Sequence, residues 1–312
     1  MNEDIKNLTF VEKYRPETIE QCILPDRLKS VFRGFIAQGD FPNLLFFGTP
    51  GVGKTSVAWA LAHDMDMEVY YINASTEGNI DTIRYEVREF ASKMSFKGRR
   101  KVVILDEFDG SSNAAQGALR GVYEEFKKVR FIITCNNKNK IIGPIAESRV
   151  SPIEFKVLPD ESQELIMQTV KRVAEILDLE TIKYDLRVIV ELVKKYHPDI
   201  RRVLNELQTY AQGGEIDEHI LSKTADIDEV IGYLKAGKMD KIREWIVNNQ
   251  DVDPHQFLWD LYMKLNYMVG KDYVPQVISI IGDAYRAYPG LPKQDLNYLM
   301  MFNDILDKVN FQ

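Results

Sequence analysis

Gly48-Thr49-Pro50-Gly51-Val52-Gly53-Lys54-Thr55 follows the apolar tetrad Leu44-Leu45-Phe46-Phe47 and opens a helical stretch that runs through Ser56 to about Met65. A glycine-rich turn between a buried strand and a helix start is a phosphate cradle. The glycines let successive N–H groups and the helix N-terminus face an anion. Lys54 is spaced to reach the terminal phosphates and the Thr55 hydroxyl to hold Mg²⁺. Residues Gly48 to Ser56 are therefore expected to bind a nucleoside triphosphate, at the carboxyl edge of an α/β sheet.

A nucleotide hydrolase needs a second buried strand that ends in carboxylates. Lys101-Val102-Val103-Ile104-Leu105-Asp106-Glu107 supplies one. Asp106 at the strand end is expected to organise Mg²⁺, and Glu107 to polarise the attacking water. By themselves adjacent carboxylates could be a solvated turn. Behind a phosphate loop they read as the catalytic half of the site.

Between Asn43 and Phe155, β-rich runs (Leu44–Phe47, Val69–Asn73, Val102–Leu105, Val129–Thr134, Ile153–Phe155) alternate with helical ones (Thr55–Met65, Ile80–Met94, Ala114–Phe126). This is the pattern of a parallel, doubly wound sheet. Past Pro159 the strand signals disappear. Leu165, Val170, Val173, Ile176, Leu177, Val188, Val190, Leu192, Val193, Val203, Leu204 and Leu207 recur at helical spacing and form the expected core of a small domain. Gly213-Gly214 interrupts, and helices resume near Ile227, with Leu234, Ile242, Trp245, Ile246, Phe257, Trp259, Leu261, Tyr262 and Leu265 as apolar positions. The expected division is 1–156 nucleotide-binding, 157–224 helical lid and 225–312 a helical oligomerisation domain.

Nothing approaches the roughly 20 apolar residues of a membrane span, and the polar start lacks the core of a signal peptide, so a cytoplasmic protein is expected. Two cysteines and four histidines show no metal spacing. A net charge of −7 argues against a surface that grips nucleic acid throughout. From Ile83 to Lys101, however, seven basic residues face two acidic ones, a balance of +5, whereas Ala225 to Gln312 carries nine basic against thirteen acidic, or −4. A polyanion is thus expected to meet the first domain. Arg84, Arg88 and Lys93 are the candidates for phosphate contacts that supply affinity without reading sequence. At 100° per residue Lys93 falls on the far side of the helix from Arg84 and Arg88.

Further boxes make the first 210 or so residues resemble the clamp-loader branch of the AAA+ ATPases, replication factor C small subunits above all. These are Glu12-Lys13-Tyr14-Arg15-Pro16; Asn73-Ala74-Ser75 with Ile80-Asp81-Thr82-Ile83-Arg84; Asn113-Ala114-Ala115-Gln116 with Ala118-Leu119-Arg120; Glu147-Ser148-Arg149; and Pro198-Asp199-Ile200-Arg201-Arg202-Val203-Leu204-Asn205. The resemblance implies that Glu12, Tyr14 and Arg15 lie beside the nucleotide base. It makes Asn136 a sensor of the γ-phosphate, with Asn137 as rival, and Arg149 a finger reaching the neighbouring subunit's ATP. Arg201, in preference to Arg202, becomes a second sensor borne by the lid. Gln116 and Lys101 are the family-guided candidates for connecting DNA contact to Glu107. Phe10 stands where a tryptophan is common, and Val150 where a cysteine is. With the short chain, these departures resemble the large, ATP-hydrolysing subunit of T-even-type bacteriophage loaders more than a cellular protein.

The activity implied is that of an ATPase subunit of a DNA sliding-clamp loader, using ATP and Mg²⁺ to open a ring clamp and load it at primer–template junctions. The implied partners are the clamp, primed DNA and other loader subunits, a distinct small subunit included, in a hetero-pentamer without membrane attachment. If viral, it would work in the host cytoplasm. The alternatives are an AAA+ motor or remodeller acting on other DNA or protein substrates, and an ATP-binding scaffold that does not hydrolyse.

Overall fold

The computed structural model describes residues 9–76, 81–95, 98–146, 149–211, 214–217, 220, 227–249, 254–288 and 294–309. Ile80, Lys97, Glu147, Ser148 and Gly213, all used in the sequence reading, lie outside the described residues. The chain forms two compact units, Met1–Asp217 and Glu218–Gln312.

The first unit is built on five parallel strands, β1 (Leu44–Phe47), β2 (Glu68–Asn73), β3 (Lys101–Asp106), β4 (Arg130–Cys135) and β5 (Ser151–Glu154), in the order β2-β3-β4-β1-β5. The period of two divides each central strand between two cores. Leu44, Phe46, Val102, Ile104 and Ile132 face the helices Asp26–Gln38 and Lys54–Asp64. Leu45, Val103, Leu105, Phe131 and Ile133 face the opposite way, toward Ile83, Val87, Ala115, Leu119 and Val122. Because both faces are covered, the strands read as continuous apolar runs. The helix Asp26–Gln38 precedes the stretch where the alternation is legible; it buries Leu28 and Phe32 and stops at Gly39, whose φ of +69° suits glycine.

Order in the sheet decides what meets at its carboxyl edge. With β4 lying between β3 and β1, Phe47 is level with Cys135 and Asn73 with Asp106. The phosphate loop, the acidic strand end and the end of β4 therefore share one edge.

Still within the first unit, the helices Ser162–Leu179, Leu186–Tyr196 and Ile200–Ala211 pack around Leu165, Val173, Ile176, Leu177, Val188, Ile189, Leu192, Val193, Val203 and Leu207. Val170 and Val190 are only half-buried; Thr169 and Ile189 take the inward positions. Strand pairing does not vanish after Pro159, since β6 (Lys183–Tyr184) and β7 (Glu215–Ile216) form a parallel pair. Two residues are too few to generate a period.

The second unit is helical among its described residues: Ile227–Lys235, Met239–Asn248, Pro254–Met268, Val274–Ala287 and Gln294–Lys308 surround Val230, Ile242, Trp245, Phe257, Leu261, Ile281 and Phe302. Asn297, buried in this interior, donates from Nδ2 to the Ala284 carbonyl at 2.9 Å, so its amide nitrogen is satisfied. Trp259, one of the apolar positions named above, is 60% exposed. No described helix is long and apolar enough to cross a membrane.

Candidate nucleotide site

The loop after β1 turns with φ of +149° at Gly48, +77° at Gly51 and +90° at Gly53, and Gly53 caps the helix Lys54–Asp64. Two of these glycines are also required by space. A Cβ on Gly48 would lie 2.5 Å from the Phe155 carbonyl oxygen, and one on Gly51 would lie 1.8 Å from Oδ1 of Asp199. Val52 points into the core below, and the Gly48 and Thr49 carbonyls turn inward to accept from Lys54 Nζ at 2.9 and 2.8 Å. Pro50, Gly51, Gly53, Lys54, Thr55 and Ser56 line the cleft itself.

Lys54 is buried, and its third acceptor is Oδ1 of Asn136 at 2.9 Å. Desolvation by burial lowers its pKa, Arg201 pushes the same way, and Cys135 and Asp106 oppose. An ammonium held by neutral acceptors, with a guanidinium nearby, forms an electropositive hollow that an anion would relieve. Asn137, the rival, turns away: its side chain accepts from Asn139 N at 2.9 Å. The two asparagine backbone N–H groups both donate to Oδ2 of Asp109, at 3.2 and 3.1 Å, which fixes the loop that aims Asn136.

At the end of β3, Oδ1 of Asp106 accepts from the Thr55 hydroxyl at 2.8 Å and from the Thr134 hydroxyl; Oδ2 accepts from the Tyr71 hydroxyl at 3.1 Å. Thr134 also accepts from Glu107 N at 3.1 Å. Glu107 has a φ of +52°, a left-handed conformation unfavourable for a glutamate. It turns the exposed carboxylate out of the strand line, where Oε2 lies 3.0 Å from the Ser75 hydroxyl. Thr134 and Tyr71 had no role in the sequence reading; Thr134 was signalled only by a hydroxyl inside an apolar strand, and nothing local separated Tyr71 from its neighbour Tyr70.

The other walls come from the N-terminal box and the lid. Tyr14, Arg15, Ile23, Leu24, Val173 and Ile176 give the cleft a largely apolar end, and Arg201 reaches it from the lid. Arg202 does not; it stacks over Tyr196 at 4.5 Å. Tyr14 and Lys13 both reach Glu180, each at 2.6 Å, which ties the N-terminal box to the lid. Glu12 does not line the cleft beside Tyr14 and Arg15; its carboxylate accepts from the Thr9 hydroxyl and N–H in a capping box at 3.0 and 3.3 Å.

Arg149 also stands away from this cleft, paired with Glu124 at 2.8 Å and about one-third exposed. The basic stretch is less open than its count suggests. Arg88 pairs with Glu125 at 3.1 Å, Lys93 with Glu89 at 2.5 Å, Arg99 with Asp66 at 3.0 Å and Arg100 with Asp40 at 3.2 Å. Lys93 lies just past the helix Val87–Ser92. Arg84 is exposed and forms no ion pair with a described residue. Lys101 is buried and donates to the Phe90 and Lys93 carbonyls, while Gln116 is satisfied by Lys140 O at 3.1 Å and Ile142 N at 2.8 Å. Neither bonds to Glu107, so the expected relay through them is absent among the described residues.

Two family models match: the ATPase family associated with various cellular activities (AAA) over residues 44–157, and the AAA+ ATPase lid domain of the sliding-clamp-loader large subunit over residues 161–222. The chain is 35% identical over 281 residues to the sliding-clamp-loader large subunit of Enterobacteria phage T4, covering 87% of each. It is 37% identical over 239 residues to that of Escherichia phage RB69, covering 75% of this chain and 74% of the other. A replication factor C small subunit from Archaeoglobus fulgidus is 32% identical over 280 residues, covering 87% and 83%. Among solved structures, the Thermotoga maritima RuvB Holliday junction branch migration motor superposes with a TM-score of 0.51 at 15% identity, over 79% of this chain and 85% of that one. At that identity the likeness is one of fold.

Proposed function

The chain belongs to the clamp-loader family of AAA+ ATPases, and on that footing we propose how its residues share the work of loading a sliding clamp during DNA replication. It is an ATPase. One observation carries the assignment of roles: Lys54, Thr55, Asp106, Glu107 and Asn136 converge at the carboxyl ends of β1, β3 and β4, in a cleft that Arg201 enters from the lid. The loop N–H groups and Lys54 bind the phosphates of ATP, and Tyr14, Arg15, Ile23, Leu24, Val173 and Ile176 take the base end.

Thr55 and Asp106 offer hard oxygen ligands 2.8 Å apart, a donor set that suits Mg²⁺. Among the described residues no group of three or more His, Cys, Asp or Glu gathers at a point. Two protein oxygens completed by phosphate and water are the usual holding of this ion. When bound, Mg²⁺ neutralises charge that develops on the phosphoryl oxygens. Glu107 orients the attacking water and receives its proton, and Ser75 holds it while it waits. Asn136 bridges the γ-phosphate to Lys54.

Arg149 lies outside its own cleft, so we assign it to a neighbour's ATP, which makes the subunit competent only in an assembly. We propose a hetero-pentamer with a distinct small subunit, built through the helical domain at 225–312, with 1–156 binding nucleotide and 157–224 acting as lid. The partners are the sliding clamp and primed DNA, the latter met by Arg84 first and by Arg88 and Lys93 after exchange of their carboxylate partners. Exposed ion pairs are weak, about 0–1 kcal/mol, so such exchange is inexpensive.

The test is ATP turnover by the assembly with primed DNA, clamp, or both. Joint stimulation is expected, and Glu107→Gln should bind ATP while turnover falls about 10²- to 10⁴-fold. Wild-type hydrolysis by that variant, or indifference to DNA plus clamp, would reject the reading.

A further inference from the structure

Tyr71 lies on β2 two residues before Asn73, so it leaves the sheet on the face covered by the helix Lys54–Asp64. There its ring packs against the indole of Trp59, with centroids 5.6 Å apart, and its hydroxyl donates to Oδ2 of Asp106 at 3.1 Å. The two oxygens of that buried carboxylate are served unequally. Oδ1 takes both threonine hydroxyls, Thr55 and Thr134, whereas Tyr71 is the donor to Oδ2 among the described residues.

A carboxylate on a single Cβ–Cγ bond can swing. The threonines fix one oxygen, and a third donor on the other side fixes the plane. Thr55 is itself a proposed Mg²⁺ ligand, and its hydroxyl oxygen can give the ion a lone pair while its hydrogen stays on Oδ1 of Asp106. Both threonines therefore stay on Oδ1, and Tyr71 is the described donor left to orient Oδ2 in the loaded state. Tyr71 is suited to the task because it comes from a different strand and its ring is braced by Trp59.

We propose that Tyr71 is a positioning residue for the Mg²⁺-holding carboxylate, fixing the orientation of Asp106 from the edge strand of the sheet. It touches neither phosphate nor water and acts through Asp106 alone. This rests on the reading that Asp106 holds Mg²⁺. Outer partners of metal-bound carboxylates typically change metal affinity by about 10- to 100-fold when removed.

Tyr71→Phe removes the hydroxyl and keeps the ring against Trp59. The experiment measures equilibrium binding of a non-hydrolysable ATP analogue to the full chain by calorimetry, in excess EDTA and across a Mg²⁺ titration, beside Asp106→Asn. For Tyr71→Phe we expect unchanged affinity in EDTA and a Mg²⁺ midpoint raised about tenfold or more. A wild-type midpoint overturns the proposal. So does an equal loss of affinity with and without Mg²⁺, which would make Tyr71 part of the nucleotide pocket rather than a support for Asp106. If Asp106→Asn keeps the full Mg²⁺ effect, the underlying reading of the site fails and the proposal with it; if Asp106→Asn loses the effect and Tyr71→Phe does not, the proposal alone fails.

Discussion

Gly51→Ala tests whether the phosphate loop and the lid are mechanically joined. Gly51 sits at a φ of +77°, and a Cβ there would come within 1.8 Å of Oδ1 of Asp199. That oxygen is not free to move aside, because it accepts from Arg202 N at 3.0 Å and so caps the helix that carries Arg201. An alanine held left-handed costs about 1–2 kcal/mol. Driving Asp199 off its cap costs about 1 kcal/mol more. The sum, about 2–3 kcal/mol, corresponds to roughly thirty- to over a hundredfold weaker ATP binding if the loop relaxes when empty and must be forced back when loaded. The assay is ATP affinity for Gly51→Ala, Asp199→Ala and the double variant. Removing the carboxylate should return the steric part and leave the backbone part, so the double variant loses about 1 kcal/mol less than the sum of the two single variants. Full affinity in Gly51→Ala, or strict additivity in the cycle, would refute the claim that the lid presses on the loop at this point.

Two further outcomes are expected. Arg149→Ala should lower turnover of the assembly about 10³- to 10⁵-fold if the guanidinium completes a neighbour's site. The melting temperature of the isolated chain should move little, since the Arg149–Glu124 pair is partly exposed and such pairs contribute about 0–1 kcal/mol; an unchanged rate removes the finger. Burial raises the thiol pKa of both Cys22 and Cys135 to about 12, with Asp109 adding to the shift at Cys135. The unfolded thiols titrate near pH 8.5, so the stability these groups contribute is full below that pH and is lost as pH rises toward 12. Iodoacetamide at pH 9 should therefore modify the folded chain on the order of a thousandfold more slowly than the urea-unfolded chain. Comparable rates would show that the thiols are not shielded.

How much of this was legible in the sequence depended on whether the deciding interaction was local. The loop and the central strands announced themselves because glycine geometry and two-sided burial act on consecutive residues. The capping box at Thr9-Phe10-Val11-Glu12 was legible in the same way, from spacing alone, and the structure uses it as one. The pairing within the basic run from Arg84 to Lys101 was hidden for the opposite reason. Arg99 and Arg100 stand just before β3, at the amino edge of the sheet, where strand order brings Asp40, which precedes β1, and Asp66, which precedes β2. Asp40 also takes Arg130, which opens β4, at 2.7 Å. In a parallel sheet the amino edge collects the residues that enter the strands and the carboxyl edge those that leave them. Charges 33 and 60 positions apart are therefore neighbours, and a sum over adjacent positions counts neither. The same topology removes Arg99 and Arg100 from the edge that bears Lys54 and Asp106. Of the seven cations in that run, Arg84 is left as the exposed, unpaired one among the described residues, on the segment that leaves β2 from the nucleotide edge.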